Sequence, residues 1–106
     1  MIKYSAHAED DLDEIFDFLL HESQEYATKI LRIIASKITL LEKNAYLGKP
    51  KDSILLNLRS FPAKKYIIFY SPTKDGIEVF RILHSSRNIE GLFNEFFDDL
   101  DSIENE

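Results

Sequence analysis

The feature that most constrains this chain is a change of hydrophobic period partway along it. Up to Leu41, apolar residues recur three and four apart. From Ile54 onward, β-branched and aromatic residues come in short runs separated by turn residues. A period near 3.6 buries one stripe of a helix and a period near 2 buries one face of a strand, so the first stretch suits helices and the second suits strands.

In the helical part, a short strand over residues 1–4 leads into Ser5, an N-cap residue type. Ala8, Leu12, Ile15, Phe16, Leu19 and Leu20 then form an apolar stripe. Glu9, Asp10, Asp11, Asp13, Glu14 and Asp17 face elsewhere as a solvated side, and acids in the first turns also suit the helix dipole. Ser23 caps a second helix with Ala27, Ile30, Leu31, Ile34, Ile38 and Leu41 on its inner side. Two amphipathic helices joined by a few polar residues form an antiparallel hairpin.

Residues 43–52, with Gly48 and Pro50, read as a loop. Three strands follow over residues 54–59, 65–71 and 77–84, and Asp75-Gly76 supplies turn chemistry before the last of them. Neighbouring strands with short connections form an antiparallel meander. Asn88 caps a third helix carrying Leu92, Phe93, Phe96, Phe97 and Leu100, and residues 101–106 form a fraying tail. Helices laid on an antiparallel sheet make the class α+β. With 106 residues, one domain spanning 1–106 is expected.

Several chemistries are excluded. The chain has no cysteine, which removes disulfides and thiolate zinc sites and fits a reducing cytoplasm. No run approaches the roughly 20 apolar residues of a membrane span, and the N-terminus lacks the apolar core of a signal peptide. His7, His21 and His84 have no metal-ligand spacing. There is no Gly-rich phosphate-binding loop, the chain's three glycines being scattered at Gly48, Gly76 and Gly91, so neither metal nor cofactor is expected. The net charge of −6 is segregated: residues 1–27 carry one lysine and eight acids, residues 28–87 twelve bases and four acids, and residues 88–106 seven acids and no base. The basic middle suits contact with phosphates or with an acidic partner.

The stretch FRILHSSRN, residues 80–88, concentrates the candidates. Regular alternation places Val79, Arg81 and Leu83 on one face and Phe80, Ile82 and His84 on the other. An arginine between apolar neighbours needs a partner, either an acid from a helix or a bound molecule. His84 reads first as a core or edge histidine, although its chemistry permits acid–base work. Ser85-Ser86 beside it has no nucleophile-elbow context. Arg59, Lys64, Lys65 and Arg87, with Lys49 and Lys51, can line one end of the sheet. Such a strip could stabilise a phosphodiester or dock an acidic peptide.

The run LRSFPAKKYIIFYSPTKDGIEVFRILHSSRNIEGLF, residues 58–93, resembles the core signature of ParE-type toxins in the RelE/ParE superfamily of toxin–antitoxin and plasmid stabilisation systems. The pieces that carry it are LR-x-FP at 58–62, YIIFY at 66–70, DGIEVFRILH at 75–84 and the R-N-I step at 87–89. The opening YSAHAEDDLDEIFDFL is similar to the family's first strand and helix. The resemblance implies the toxin of a type II system that inhibits DNA gyrase by protein–protein contact and growth with it. A cognate antitoxin would neutralise it in a hetero-oligomer, without direct sequence-specific nucleic-acid contact or a membrane. On that reading Arg59, Lys64, Lys65, Arg81, Arg87, Phe93, Phe96 and Phe97 meet partners. The RelE-like branch instead implies a ribosome-dependent mRNA endonuclease using Arg59, Arg81 and His84. A third possibility is a non-toxic relative that only binds an antitoxin. FPAKK and HSSRN depart from the family's FPVG and HGARD, and Lys64 and Lys65 in place of small residues change the surface offered to a target.

Overall fold

Ser5 turns the chain from strand to helix. Its Oγ accepts the Ala8 N–H at 3.0 Å and donates to the Phe80 carbonyl at 2.7 Å, so one side chain caps a helix and ties it to a distant strand. The computed structural model describes residues 1–89 and Gly91. Along these run β1 (Ile2–Tyr4), α1 (Ala6–Leu20), α2 (Gln24–Lys43), β2 (Lys49–Pro50), β3 (Arg59–Ala63), β4 (Tyr66–Thr73) and β5 (Gly76–His84). The third helix expected after Asn88, with Leu92, Phe93, Phe96, Phe97 and Leu100, and the tail 101–106 lie outside the described residues. Ser23 caps α2 by accepting the Tyr26 N–H at 2.9 Å.

The five strands form one sheet in the order β1-β5-β4-β3-β2. β1 pairs with β5 in parallel, and the other neighbours are antiparallel. The helices lie on one face, where Ile15, Leu19, Ile30, Ile34, Ile38 and Leu41 pack against Tyr66, Ile68, Tyr70, Ile77, Val79 and Ile82. This α+β arrangement of a helical hairpin on a meander is the one the periodicities predict. Leu58, Phe69 and Leu83 form a smaller cluster on the reverse face, flanked by Ile54, Leu55, Ile67, Phe80 and Ile89. Among the described residues no helix is long and apolar enough to cross a membrane.

Three strand boundaries differ from expectation. The first meander strand is not 54–59 but Arg59–Ala63, and it contains Ser60-Phe61-Pro62. Pro62 is tolerated because the tight turn makes Ala63 and Tyr66 the hydrogen-bonded pair, which directs the prolyl nitrogen outward, past the point where β2 ends. The hydrophobic residues Ile54, Leu55 and Leu58 serve the reverse-face cluster from a loop instead. Lys64 and Lys65 do not open β4; they form the β3–β4 turn, with Lys64 in the left-handed region at φ 58°. Lys49 and Pro50, expected in a loop, form a two-residue strand against Arg59 and Ser60.

The regular alternation expected in the last strand is also broken. Phe69 stands opposite Arg81 and Tyr70 opposite Val79, so Phe80 is an extra residue in β5. This bulge shifts the phase of the strand. Val79 and Ile82 therefore share the helix-facing core, while Phe80 and Leu83 turn to the reverse face.

Candidate functional site

Asp11 sits on the inner stripe of α1, one turn before Ile15, and is only 6% exposed. Its inward position corrects the expectation that every acid of this helix faces solvent. Arg81 donates to it from Nε at 2.8 Å and from Nη2 at 2.9 Å, a two-pronged charge-assisted pair. The same Oδ2 accepts the Ile82 N–H at 2.9 Å. β1 reaches only Val79, so beyond it β5 lacks a neighbouring strand on that side, and the Asp11 carboxylate supplies one missing acceptor. Arg81 thus has the helix acid that its apolar setting called for.

Arg59 closes a second internal constellation. Its Nη1 donates to the Tyr46 carbonyl at 3.0 Å and to the Gly48 carbonyl at 2.7 Å, and its guanidinium lies 4.9 Å from the centre of the Tyr46 ring. Behind it, the buried Tyr70 hydroxyl accepts the Gly48 N–H at 2.8 Å and donates to the Ala45 carbonyl at 2.8 Å. Together these bonds fasten the segment after α2 onto the sheet. Burial pushes the Tyr70 pKa above its ordinary 10.0, outweighing the Gly48 hydrogen bond and the Arg59 charge, which both lower it.

Tyr70→Phe leaves the Gly48 donor and the Ala45 acceptor unpaired, and is expected to cost about 1–3 kcal/mol in urea denaturation. A raised folded-state pKa makes the Tyr70 contribution complete below pH 10.0 and lost as pH rises through the folded value. The Tyr70→Phe variant should therefore lose less stability than the parent above that pH. Tyr4 and Tyr66, also raised chiefly by burial, keep part of the alkaline limb in both.

The third constellation lies at the far end of β4 and β5. His84 stands opposite Tyr66 in the ladder, with ring centres 5.4 Å apart and planes at 85°. The Ser86 backbone N–H donates to His84 Nδ1 at 3.1 Å, and Ser86 Oγ lies 2.7 Å from the same atom. A backbone N–H can only donate, so Nδ1 is an acceptor and the ring proton sits on Nε2. The Lys65 carbonyl accepts the Ser85 N–H at 2.8 Å, which brings the turn of exposed Lys64 and Lys65 beside the exit that carries exposed Arg87. A groove of about 500 Å³ opens here between α1 and β5, lined by Ile15, Phe18, Ile82, His84 and Arg87 among others.

The structure therefore separates the sequence candidates. Lys64, Lys65, His84 and Arg87 meet at one end of the sheet. Arg59 pairs with Tyr70 across β3 and β4, about 13 Å along the strand from Tyr66. Arg81 is directed to Asp11. Arg59, Arg81 and His84 do not converge on one point where a substrate could react. Among the described residues no group of three or more His, Asp or Glu is placed to hold a metal. Phe93, Phe96 and Phe97 lie outside the described residues.

Sequence reasoning missed Asp11, Tyr46, Tyr70 and Phe18. The signal for Asp11 was present: Ala8, Asp11, Ile15 and Leu19 make a single buried stripe, in which one carboxylate interrupts apolar residues just as Arg81 interrupts β5. Phe18, 70% exposed, lies off that stripe on the groove side.

A helical hairpin on one face of a mixed five-stranded sheet is also the fold of a solved chain described as "Chromosomal ParDE TA system from P. aeruginosa". That likeness has a TM-score of 0.66 at 22% identity and covers 78% of this chain and 92% of that one. Residues 2–89 match the family model described as "ParE toxin of type II toxin-antitoxin system, parDE". The chain belongs to the ParE toxin family. No curated protein matches it.

Proposed function

We propose that this toxin acts in the cytoplasm by protein–protein contact, inhibiting DNA gyrase and thereby growth, and that a cognate antitoxin silences it in a hetero-oligomer. The observation that carries this reading is the internal commitment of the two sheet arginines. A ribonuclease of the RelE type would need cationic groups turned toward a scissile phosphate beside a general base. Here Arg81 is engaged by Asp11, Arg59 by the Tyr46 and Gly48 carbonyls, and His84 stands at the other end of the strands. What remains on the surface is a basic corner, Lys64, Lys65 and Arg87, beside exposed apolar Phe18, a composition suited to docking a protein. Phe93, Phe96 and Phe97 add a sequence-based contact stripe.

The test is a supercoiling and cleavage assay with purified gyrase and the toxin titrated in. Loss of supercoiling with accumulation of cleaved DNA is expected. Undisturbed supercoiling at large excess of folded toxin, together with mRNA cut on translating ribosomes, would overturn the proposal in favour of the endonuclease.

A further inference from the structure

The outer side of α1 carries charge that its own chain does not answer. Asp13 and Asp17 are exposed and one turn apart, the spacing at which two carboxylates repel on a helix. Neither has an ion pair among the described residues, and neither does exposed Arg32 on α2. All three border one feature. An open groove of about 570 Å³ runs between the two helices, lined by Leu12, Phe16, Leu31 and Ala35, with Asp13 and Asp17 on the α1 side and Arg32 on the α2 side. It lies opposite the buried stripes with which the helices meet the sheet.

An acidic ridge, an apolar seam and a basic ridge, side by side, are complementary to a second copy of themselves. Two copies can meet here across a two-fold axis in two ways. With the axis across the helices, α1 faces α1 and the acidic ridges collide. With the axis along the helices, α1 of each copy faces α2 of the other, and every residue keeps its height along the axis. Thr28 to Ala35 lie across the groove from Leu12 to Asp17, so Asp13 and Asp17 then stand against the partner's Arg32, and the contact occurs twice. Because α1 and α2 run in opposite directions within one chain, the helices that meet are antiparallel, and the four close as an up-down-up-down bundle. Leu12, Phe16, Leu31 and Ala35 of both copies fill its centre.

We infer that the outer face of the α1–α2 hairpin is a self-association surface, through which the toxin pairs with a second copy of itself as a four-helix bundle. The charge pattern selects the occupant. A partner of one sign meets one ridge and is repelled by the other, whereas a second copy satisfies both. α1 has fifteen residues and is therefore about 22 Å long. Two such helices side by side present roughly 450 Å² per copy, at the lower end for a specific interface, so a dissociation constant of about 10–100 µM is expected.

The test is sedimentation equilibrium of the full-length toxin alone, loaded from about 5 µM to about 1 mM to bracket that value. A monomer–dimer equilibrium is expected, and added salt should weaken it because the ridges are exposed. Asp13→Lys/Asp17→Lys and Arg32→Glu each set like charges against one another at both contacts, and each variant alone is expected to dimerise at least about 10-fold more weakly. Neither should lower the melting temperature, since no internal bond of these side chains is lost. An equimolar mixture of the two variants should regain the parental affinity, because the mixed dimer pairs opposite charges at both contacts. A toxin monomeric up to the highest loading, or a dimer indifferent to both variants, would overturn the inference. A mixture no tighter than either variant alone would overturn the two-fold arrangement and with it the assignment of this face. Each of these outcomes is read without gyrase, so it stands apart from the result of the supercoiling assay.

Discussion

Asp11→Ala is expected to destabilise the protein by about 3–5 kcal/mol, with a fall in melting temperature of more than about 12 °C. The substitution removes two charge-assisted bonds from Arg81 and the acceptor of the Ile82 N–H together. It leaves a guanidinium whose side chain is 15% exposed without the carboxylate that it meets in a two-pronged pair. Most of the cost is the loss of the carboxylate opposite a largely buried charge rather than the net worth of the pair, because two ions must first be stripped of water before they attract. The double variant Asp11→Ala/Arg81→Met should therefore recover more than half of the loss, since methionine fills the space without needing a partner. Urea denaturation of the parent, both single variants and the double variant closes the cycle. A loss below about 1 kcal/mol for Asp11→Ala would show that the pair is a surface contact in energetic terms.

That buried pair also shows which parts of the molecule are legible in the sequence. Helix starts were legible because Ser5 and Ser23 cap through local bonds three residues long, and local chemistry is visible in a local window. The core stripes of α1 and α2 were legible because burial repeats with the helical period. The strands were less so. β5 carries an extra residue at Phe80, and nothing within FRILHSSRN marks a bulge, because the bulge is an agreement between that strand and β4. β3 was displaced because Ile54, Leu55 and Leu58 have the composition of a strand yet are recruited as single side chains to the reverse-face cluster. The site fared similarly. Asp11 and Arg81 are seventy residues apart; Arg81 stood out as a charge between apolar neighbours, whereas Asp11 read as one more acid of a solvated face, and only the fold shows that the one answers the other.

The same pair limits how activity data on this family member are to be read. Arg59 and Arg81 are the residues that an enzymatic hypothesis would mutate first, and both are internal braces in this fold. Loss of toxicity on replacing either one reports loss of structure unless folded protein is shown to persist. Substitutions at exposed Lys64, Lys65 and Arg87 carry no such ambiguity, because they break no internal bond from their side chains. A drop in potency there, at unchanged stability, is evidence about contact with the target.

The brace around Arg59 has one point where a single methyl group should undo it. Gly48→Ala builds a Cβ against the Tyr70 hydroxyl, at 2.8 Å from the Tyr70 ring and 2.9 Å from the Ser60 carbonyl oxygen. None of these neighbours yields easily: Tyr70 is fully buried, and Ser60 is held in the ladder between β2 and β4. The segment must move outward instead, breaking the Gly48 N–H bond to Tyr70 and drawing the Gly48 carbonyl away from Arg59. Overpacking and the unpaired groups together are expected to cost about 2–5 kcal/mol, more than Tyr70→Phe, which removes bonds without inserting an atom. The double variant Gly48→Ala/Tyr70→Phe distinguishes the two contributions. Deleting the hydroxyl relieves one clash but leaves those with the ring and with Ser60, so the pair should be less destabilising than the sum of its parts and still worse than Tyr70→Phe alone. Strict additivity in urea denaturation would mean that the segment adjusts without touching Tyr70, and that the contact between Gly48 and the sheet is not what fastens the loop under Arg59.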